Sequence, residues 1–246
     1  MTRRALVLAA GVGSRLRALA GGRPKPLMPF GGAPILAHNL RWLAASGVDE
    51  VWINLHFAAE AITAEIGDGS AFGLSIHYVF EPELLGTAGA LANIAAAFDA
   101  PMWVVYGDSL VRFDLAAMAR IHAAAGAEVT LALFDRDRHP HTGVAGGRVV
   151  AAPDGRVSAF VEGGAAPISS LVNAGVYLAE PRVLDLIPAD RTVDFGHDVF
   201  PAMLMSDRRL MAYIIEPGGY CLGLDTPESF AAGERLLAAN HVALAQ

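Results

Sequence analysis

The chain has 246 residues and a mass of 25.7 kDa, a length that suits one large domain or two small ones. Its formal net charge of −7 disfavours a general nucleic-acid binder, and its single cysteine, Cys221, excludes an internal disulfide framework and a cysteine-rich metal site. The hydrophobic fraction of 54% raises the question of a membrane protein. However, the longest uncharged runs, Leu84–Phe98 and Gly163–Ala179, are too short or too interrupted for a span of roughly 20 apolar residues.

Strands and helices alternate in the first half of the chain. The apolar run Ala5–Ala10 is shorter than the core of a usual secretory signal peptide, so we predict a first buried strand and a cytoplasmic protein. The predicted strands are Ala5–Ala9, Glu50–Asn54, Ser75–Phe80 and Met102–Tyr106, and the predicted helices are Pro34–Ser46, Ala58–Ile66, Thr87–Phe98 and Leu115–Ala125. This order favours an α/β fold: a three-layer, Rossmann-like arrangement around a mixed, mostly parallel central sheet.

The pattern becomes richer in strands after Glu128. We predict strands at Val129–Phe134, Gly143–Ala151, Val157–Val161, Leu171–Leu178, Met211–Ile215 and Tyr220–Leu224, and helices at Pro181–Ile187, Asp198–Met205 and Pro227–Leu244. No linker or repeat interrupts the chain. We therefore expect a single domain over residues 1–246, with an N-terminal half of about 1–127, a C-terminal half of about 128–246, and a ligand cleft beyond the carboxyl ends of the strands.

A glycine-rich loop over Gly11–Gly32 follows the first strand and begins Leu8-Ala-Ala-Gly11-Val-Gly13-Ser14-Arg15. Small residues let a backbone approach a phosphate chain, and consecutive N–H groups form an anion site. The loop has Leu16 where a dinucleotide fingerprint has its third glycine, and it lacks the Gly-Lys-Ser/Thr of a P-loop. Two cations follow instead, Arg15 and Lys25, and prolines flank the lysine. A guanidinium fork and an ammonium point charge together suit a triphosphate.

Five motifs in chain order resemble the sugar-1-phosphate nucleotidylyltransferases, or NDP-sugar pyrophosphorylases, in a short form without a β-helix domain. The motifs are Leu8–Arg15 with Pro24–Pro29 and Gly31-Gly32, Leu85–Leu91, Tyr106-Gly107-Asp108, Asn173–Tyr177 and Thr226-Pro227-Glu228. The resemblance implies the nucleotidyltransferase fold and the reaction of an NTP with a sugar 1-phosphate to give an NDP-sugar and pyrophosphate, with Mg²⁺ as cofactor. Residues 85–89 look most like mannose- and heptose-1-phosphate guanylyltransferases, which makes GTP the first candidate nucleotide. Residues 67–74 look like N-acetylmuramate-1-phosphate uridylyltransferase, which makes UTP the second candidate.

The resemblance also implies a role for individual residues. Arg15 would hold the leaving pyrophosphate, Lys25 would neutralise the reacting phosphates, and Asp108 would bind the metal. Nucleotide contacts would fall on Leu8, Ala9, Ala10, Gly11, Gly13, Ser14, Gly86, Thr87 and Gly89, and sugar contacts on Gly143, Glu162 and Asn173. The N-terminal half would then bind the nucleotide and the C-terminal half the sugar, in a monomer or homodimer with no nucleic-acid or membrane partner.

Two positions depart from the pattern of the family. Gly223 stands where relatives carry the second metal carboxylate, and Asp225 follows two residues later, about 6.6 Å further along a strand. We predict that Asp225 is the second metal ligand; the alternative is one-carboxylate binding through Asp108, with lower activity. Gly163 stands where relatives place a lysine against the sugar phosphate. The candidate substitutes for that lysine are Arg148, Arg156 and His141.

Two other functions remain open at this level. The departures at Gly223 and Gly163 are compatible with a nucleotide-sugar-binding regulatory homologue with weak catalysis. The strings Gly107-Asp-Ser109-Leu and Asp194-Phe-Gly-His197 spell the nucleophile and histidine blocks of a GDSL-type esterase, with Ser109 as nucleophile. Short motifs match often by chance, and the Gly-x-Asn-Asp block of that family is missing, so the esterase is the weaker alternative.

Overall fold

A computed structural model describes residues 2–11, 13, 22–144, 146–163, 169–189 and 191–244. The strands are β1 (Arg4–Leu8), β2 (Pro29–Phe30), β3 (Ala33–Pro34), β4 (Glu50–Leu55), β5 (Ser75–Phe80), β6 (Met102–Tyr106), β7 (Ser109–Arg112), β8 (Val129–Asp135), β9 (Arg148–Ala151), β10 (Val157–Val161), β11 (Leu171–Ala179), β12 (Leu210–Ile214) and β13 (Tyr220–Gly223). The α-helices are α1 (Ile35–Ala45), α2 (Ala59–Ile66), α3 (Gly86–Ala92), α4 (Leu115–Ala125), α5 (Phe200–Met205) and α6 (Pro227–Ala238). Short 3₁₀ segments cover Lys25–Leu27, Ser70–Phe72, Ala95–Ala97 and Pro181–Leu186, and a π-helix covers Phe195–Val199.

The central sheet is mixed and mostly parallel, as the sequence predicts. Its main path runs β12-β8-β11-β6-β1-β4-β5. β4, β1 and β6 are parallel neighbours, and β5 and β12 add parallel strands at the two edges. β11 is antiparallel to both β6 and β8. The hairpin of β9 and β10 joins the start of β11 through Val172 and Arg148.

Helices cover both faces of this sheet and make three layers. Side chains on a strand alternate between faces, so Ala5 and Val7 of β1 enter one core while Leu6 enters the other. The first core also holds the apolar residues of α1, α2 and α4, and the second holds those of α3 and α5. A sheet buried on both faces needs nearly continuous apolar strands. This burial accounts for the 54% hydrophobic fraction. In the described parts of the chain, no helix is long and apolar enough to cross a membrane.

A smaller ladder, absent from the sequence prediction, lies beside the central sheet. β7 pairs antiparallel with β13, in a register that sets Ser109 opposite Gly223. Its apolar residues pack with α6 in a third cluster that includes Phe30, Leu110 and Leu222. The prediction missed β7 because a strand of four residues, only two residues after β6, gives no periodicity of its own.

Three predicted elements are shorter in the structure. The helix predicted over Thr87–Phe98 ends at Ala92, because Ile94 leaves the helical region and buries its side chain. The closing helix ends at Ala238, two residues before Asn240 adopts a left-handed φ of 56°. The strand predicted over Gly143–Ala151 begins only at Arg148.

Candidate active site

Two neighbouring cavities open where strands of the sheet end. Cavity A, of about 360 Å³, is lined by Leu8–Gly11 at the end of β1, by Asn54 and Glu81 at the ends of β4 and β5, and by Gly86. Cavity B, of about 390 Å³, is lined by residues of the C-terminal half, among them Glu162, Asn173, His197 and Asp225. Both cavities are lined by Thr87, Tyr106, Asp108 and Asp194. A ligand in each cavity would therefore meet the other at this shared wall.

A buried lysine lies between two carboxylates at this junction. The Nζ atom of Lys25 donates to Oδ2 of Asp108 at 2.9 Å and to Oδ1 of Asp225 at 2.5 Å. The Lys25 side chain is 4% exposed, whereas those of Asp108 and Asp225 are 38% and 34% exposed. The ammonium is therefore held inside the protein, whereas both carboxylate side chains are partly exposed; Asp108 lines both cavities and Asp225 lines cavity B.

The β7–β13 ladder brings the two carboxylates together. Asp108 directly precedes β7, and Asp225 follows β13 by two residues, at the same end of the ladder. The backbone N–H of Asp225 donates to Ser229 Oγ at 3.0 Å, and Thr226 caps α6 through a reciprocal contact with Ser229. Asp225 is thus fixed between the end of a strand and the start of a helix.

The glycine at position 223 makes room for this arrangement. A Cβ atom there would lie 2.9 Å from Val144 Cγ2 and 3.3 Å from Asp225 Oδ2. The carboxylate of Asp225 therefore occupies the space beside Gly223 into which a side chain at 223 would project. The strand shift of two residues, which the sequence could not resolve, does not separate Asp225 from Asp108.

The described part of the glycine-rich loop also supports Lys25. Gly13 has a φ of +58°, and a Cβ atom on it would lie 2.9 Å from Lys25 Cβ. A glycine is needed at this position because the loop passes directly over the lysine stem. Leu8, Ala9, Ala10 and Gly11, which the sequence selects as nucleotide contacts, line cavity A. Ser14 and Arg15, which the sequence also selects, lie outside the described residues.

A buried polar relay, which the sequence analysis missed, fixes two segments of cavity A. Asn54 accepts a hydrogen bond from the Ala9 N–H (2.8 Å) and donates to Glu81 (2.9 Å). Glu81 is 1% exposed and also accepts from the Leu85 N–H (3.2 Å). These hydrogen bonds thus connect the glycine-rich loop after β1 to the segment that begins α3. The position of each residue at a strand end is the signal that could have found it.

Both hydrogen-bond donors of Thr87 bind the side chain of Asp194. Its backbone N–H and its hydroxyl both donate to Oδ1 of Asp194 at 3.0 Å, and the hydroxyl accepts from the Phe195 N–H (2.9 Å). Gly86 has a φ of +81°, and a Cβ there would lie 2.4 Å from the Val193 carbonyl oxygen. Gly89 donates its N–H to that same carbonyl (3.1 Å). Asp194, assigned by the sequence to the esterase alternative, is therefore the side chain that these contacts orient at the shared wall.

Cavity B is dominated by carboxylates. Burial raises the pKa of Glu162; Asp194 acts in the same direction, and His197 opposes them. A Cβ atom on Gly147 or on Gly196 would lie 2.6 Å from Glu162 Oε2, so these two glycines make space for the carboxylate. The described lining contains no lysine or arginine, and His197 is its basic side chain. The candidate substitutes for the missing lysine make contacts elsewhere: Arg148 donates to Ser169, Arg156 to Asp207, and His141 contacts the Arg136 carbonyl oxygen.

Of the other two predicted sugar contacts, Asn173 is among the residues that line cavity B and Gly143 is not. Asn173 lines cavity B, but its amide donates to the Tyr177 hydroxyl (2.7 Å) and accepts from the Gly175 N–H (3.0 Å). Asn173 therefore also stabilises the irregular stretch of β11. Val144, the neighbour of Gly143, lines cavity B, and among the described residues no atom would lie within 4 Å of a Cβ added to Gly143, its two chain neighbours aside.

The esterase arrangement has no support in the hydrogen bonds. The Ser109 hydroxyl donates to its neighbour Asp108 at 3.4 Å. In the described ranges, no hydrogen bond joins Ser109 to an imidazole. An activated serine needs such a base.

Comparison with known proteins places the chain in a family. Residues 4–225 match the family model described as nucleotidyl transferase, and the chain belongs to that family. It is 39% identical to a mannose-1-phosphate guanylyltransferase from Mycobacterium tuberculosis over 93% of this chain, and 33% identical to a UTP–glucose-1-phosphate uridylyltransferase from Synechocystis over 82%. The chain spans 63% and 55% of the lengths of these two relatives.

A solved structure shares the fold. A Bacillus anthracis protein, proposed to be a glucose-1-phosphate thymidylyltransferase, superposes with a TM-score of 0.81 at 20% identity, over 96% of this chain and 95% of that chain. This similarity confirms the predicted Rossmann-like, three-layer nucleotidyltransferase fold.

Proposed function

We propose that the chain transfers a nucleotidyl group from an NTP to a sugar 1-phosphate, releasing pyrophosphate. The observation that carries the proposal is the junction of cavities A and B at Asp108, with Lys25 between Asp108 and Asp225. The NTP occupies cavity A in the N-terminal half and the sugar 1-phosphate occupies cavity B in the C-terminal half. Two substrates in adjoining cavities bring the sugar phosphate oxygen next to the α-phosphorus.

Bringing two polyanions together is the main barrier to this reaction, and fixed positive charge lowers it. Lys25 supplies an ammonium at the junction, held in place by its two carboxylate partners. The backbone N–H groups around Gly11 and Gly13 hold the phosphate chain, and Arg15 holds the leaving pyrophosphate. Glu162 and Asn173 accept hydrogen bonds from the sugar hydroxyls.

Asp108 and Asp225 are the proposed ligands of Mg²⁺. Two carboxylates that share one ammonium and stay about one-third exposed fit this cation, which binds one or two carboxylates together with substrate phosphates. When bound, the cation neutralises charge on the phosphate oxygens. In the described ranges, no cluster of three or more histidine, cysteine or acidic residues offers another metal site.

GTP is the first candidate nucleotide and UTP the second. The relatives that match most of this chain include a guanylyltransferase and a uridylyltransferase by name. A reaction that consumes NTP suits the cytoplasm, and we propose a monomer or homodimer as the working form.

Pyrophosphate release tests the proposal. The purified chain would be incubated with Mg²⁺, each of GTP, UTP, ATP, CTP and dTTP, and a panel of sugar 1-phosphates. We expect one dominant pair of substrates, no turnover without the sugar phosphate, and loss of turnover in Asp108→Asn with the fold intact. Binding of an NDP-sugar without any turnover would instead support the regulatory homologue.

A further inference from the structure

Asp194 holds a spare hydrogen-bond acceptor in the wall shared by cavities A and B. Its Oδ1 atom accepts the two hydrogen bonds from Thr87, and its backbone N–H donates to Asp198 (2.8 Å). Within the described ranges, no hydrogen bond reaches its Oδ2 atom. Because Oδ1 is held by Thr87, the carboxylate is oriented before a ligand arrives, which reduces the entropy lost on binding.

The chemistry of this oxygen restricts what it can bind. An ionised carboxylate accepts hydrogen bonds and donates none. A phosphate group offers acceptors and negative charge, so Asp194 repels it. A hydroxyl group is the donor that a nucleotide or a sugar provides. Asp194 therefore suits a substrate hydroxyl close to, but separate from, the phosphates.

The covalent order of a nucleotide identifies which hydroxyl this is. Asp108 and Asp194 line both cavities, whereas Asn54 and Glu81 line cavity A alone. In an NTP, the ribose is bonded directly to the α-phosphate, and the base is one group further away. An α-phosphate at Asp108 therefore places the ribose beside Asp194 and the base towards Asn54 and Glu81.

We infer that Asp194 accepts a hydrogen bond from a ribose hydroxyl and makes the protein select ribonucleotides. This inference rests on the proposed function, since it needs the NTP in cavity A. The two hydrogen bonds from Thr87 then do more than stabilise the fold, because they fix the Asp194 carboxylate in the wall of both cavities. Thr87 itself acts as a positioning residue in this scheme.

Selectivity between nucleotides tests the inference. The value of kcat/KM would be measured for GTP, 2′-dGTP and 3′-dGTP with one sugar 1-phosphate. A hydrogen bond to a charged group is worth about 10- to 100-fold in discrimination, so we expect the wild type to disfavour at least one deoxynucleotide by that factor. In Asp194→Asn, one side-chain oxygen still accepts from Thr87, but an NH₂ group replaces the free acceptor. The ratio should then approach one.

The comparison within each variant cancels a general loss of folding or activity. Asp185→Asn is the matched control, because Asp185 pairs with Arg208 on the surface and lies outside both cavity linings. It should leave the nucleotide ratio unchanged.

Three outcomes would overturn the inference: equal use of all three nucleotides by the wild type, an unchanged ratio in Asp194→Asn, or a changed preference among deoxy-sugar 1-phosphates only. If no NTP and sugar 1-phosphate pair reacts at all, the proposed function itself fails. Equilibrium dialysis of the same three nucleotides would still measure the effect of Asp194 on binding.

Discussion

The Nζ atom of Lys25 lies 2.5 Å from Oδ1 of Asp225, although 200 residues separate the two in the chain. The same atom lies 2.9 Å from Oδ2 of Asp108. One buried ammonium therefore neutralises part of the repulsion between two carboxylates. The chain carries a net charge of −7, so the proposed binding of two polyanionic substrates would depend on local cations such as this one.

We expect Lys25→Gln to lower kcat/KM by about 10²- to 10³-fold, because it removes a fixed charge aimed at the reacting phosphates. Lys25→Arg should not restore activity, since a planar guanidinium does not fit a site built around a buried ammonium. Pyrophosphate release measures the effect. Arg23→Gln is the control, because Arg23 is exposed, and it should change the rate less than 2-fold. Near-normal activity in Lys25→Arg would contradict this role.

Asp225→Asn should weaken metal binding at least about 10-fold, because the second carboxylate ligand is lost. Electron paramagnetic resonance of Mn²⁺, in the presence of a non-hydrolysable NTP, measures the dissociation constant without turnover. Asp207→Asn is the control, since Asp207 lies on the surface in an ion pair with Arg156. An unchanged constant in Asp225→Asn would leave Asp108 as the single protein ligand.

The double variant Gly223→Asp/Asp225→Gly tests whether a carboxylate at position 223 can replace the carboxylate of Asp225. It moves the carboxylate to position 223 and removes the Asp225 side chain that would crowd it. We expect metal binding in the double variant to exceed that of Asp225→Asn. The single variant Gly223→Asp should bind metal more weakly than the double variant and should also be less stable. In the single variant, two carboxylates and Val144 compete for one space.

Glu162→Gln should stabilise the protein at pH 7.5 while impairing use of the sugar 1-phosphate. Burial raises the pKa of Glu162, so the folded state holds this proton more tightly than the unfolded chain, and stability falls as the pH rises through the pKa. We therefore expect a higher Tm for Glu162→Gln at pH 7.5 and little difference at pH 4. The exposed Glu65→Gln is the control for both pH values.

The same shift predicts the pH profile of activity. In the proposed reaction, the ionised form of Glu162 accepts hydrogen bonds from the sugar hydroxyls. We therefore expect kcat/KM for the sugar phosphate to decline on acidification at a pH above the usual range of a glutamate. That decline should be absent in Glu162→Gln. A wild-type profile that stays flat down to the usual glutamate range would contradict the role of the carboxylate.

Gly86→Ala should destabilise the protein by about 2–4 kcal/mol. Its φ is +81°, and the added Cβ would lie 2.4 Å from the Val193 carbonyl oxygen. Gly218→Ala is the control, because Gly218 also has a positive φ but open space around it. That variant should lose only the backbone term of about 1–2 kcal/mol. Urea unfolding measures both, and equal losses would show that the close approach to Val193 carries no energy.

Local sequence patterns predict the fold class and select the residues that we propose bind phosphate. Alternating strands and helices predicted the α/β layers, because burial on both faces of a parallel sheet leaves a continuous apolar signal. The glycine-rich loop after β1 and Lys25 between prolines also stand out locally. Such features depend on neighbours in the chain, and a single sequence records those neighbours directly.

Packing between separate elements brings carboxylates together that lie far apart in the sequence. The β7–β13 pairing sets Asp225 beside Asp108, and no local pattern encodes that register. Likewise, two hydrogen bonds join Thr87 to Asp194, which is 107 residues away in the chain. Thr87 uses its donors in these bonds, so Asp194 is the side chain left to contact a ligand. Contacts of this kind arise from packing between separate elements. The sequence therefore shows which residue types are present, but it does not show which of them contact each other.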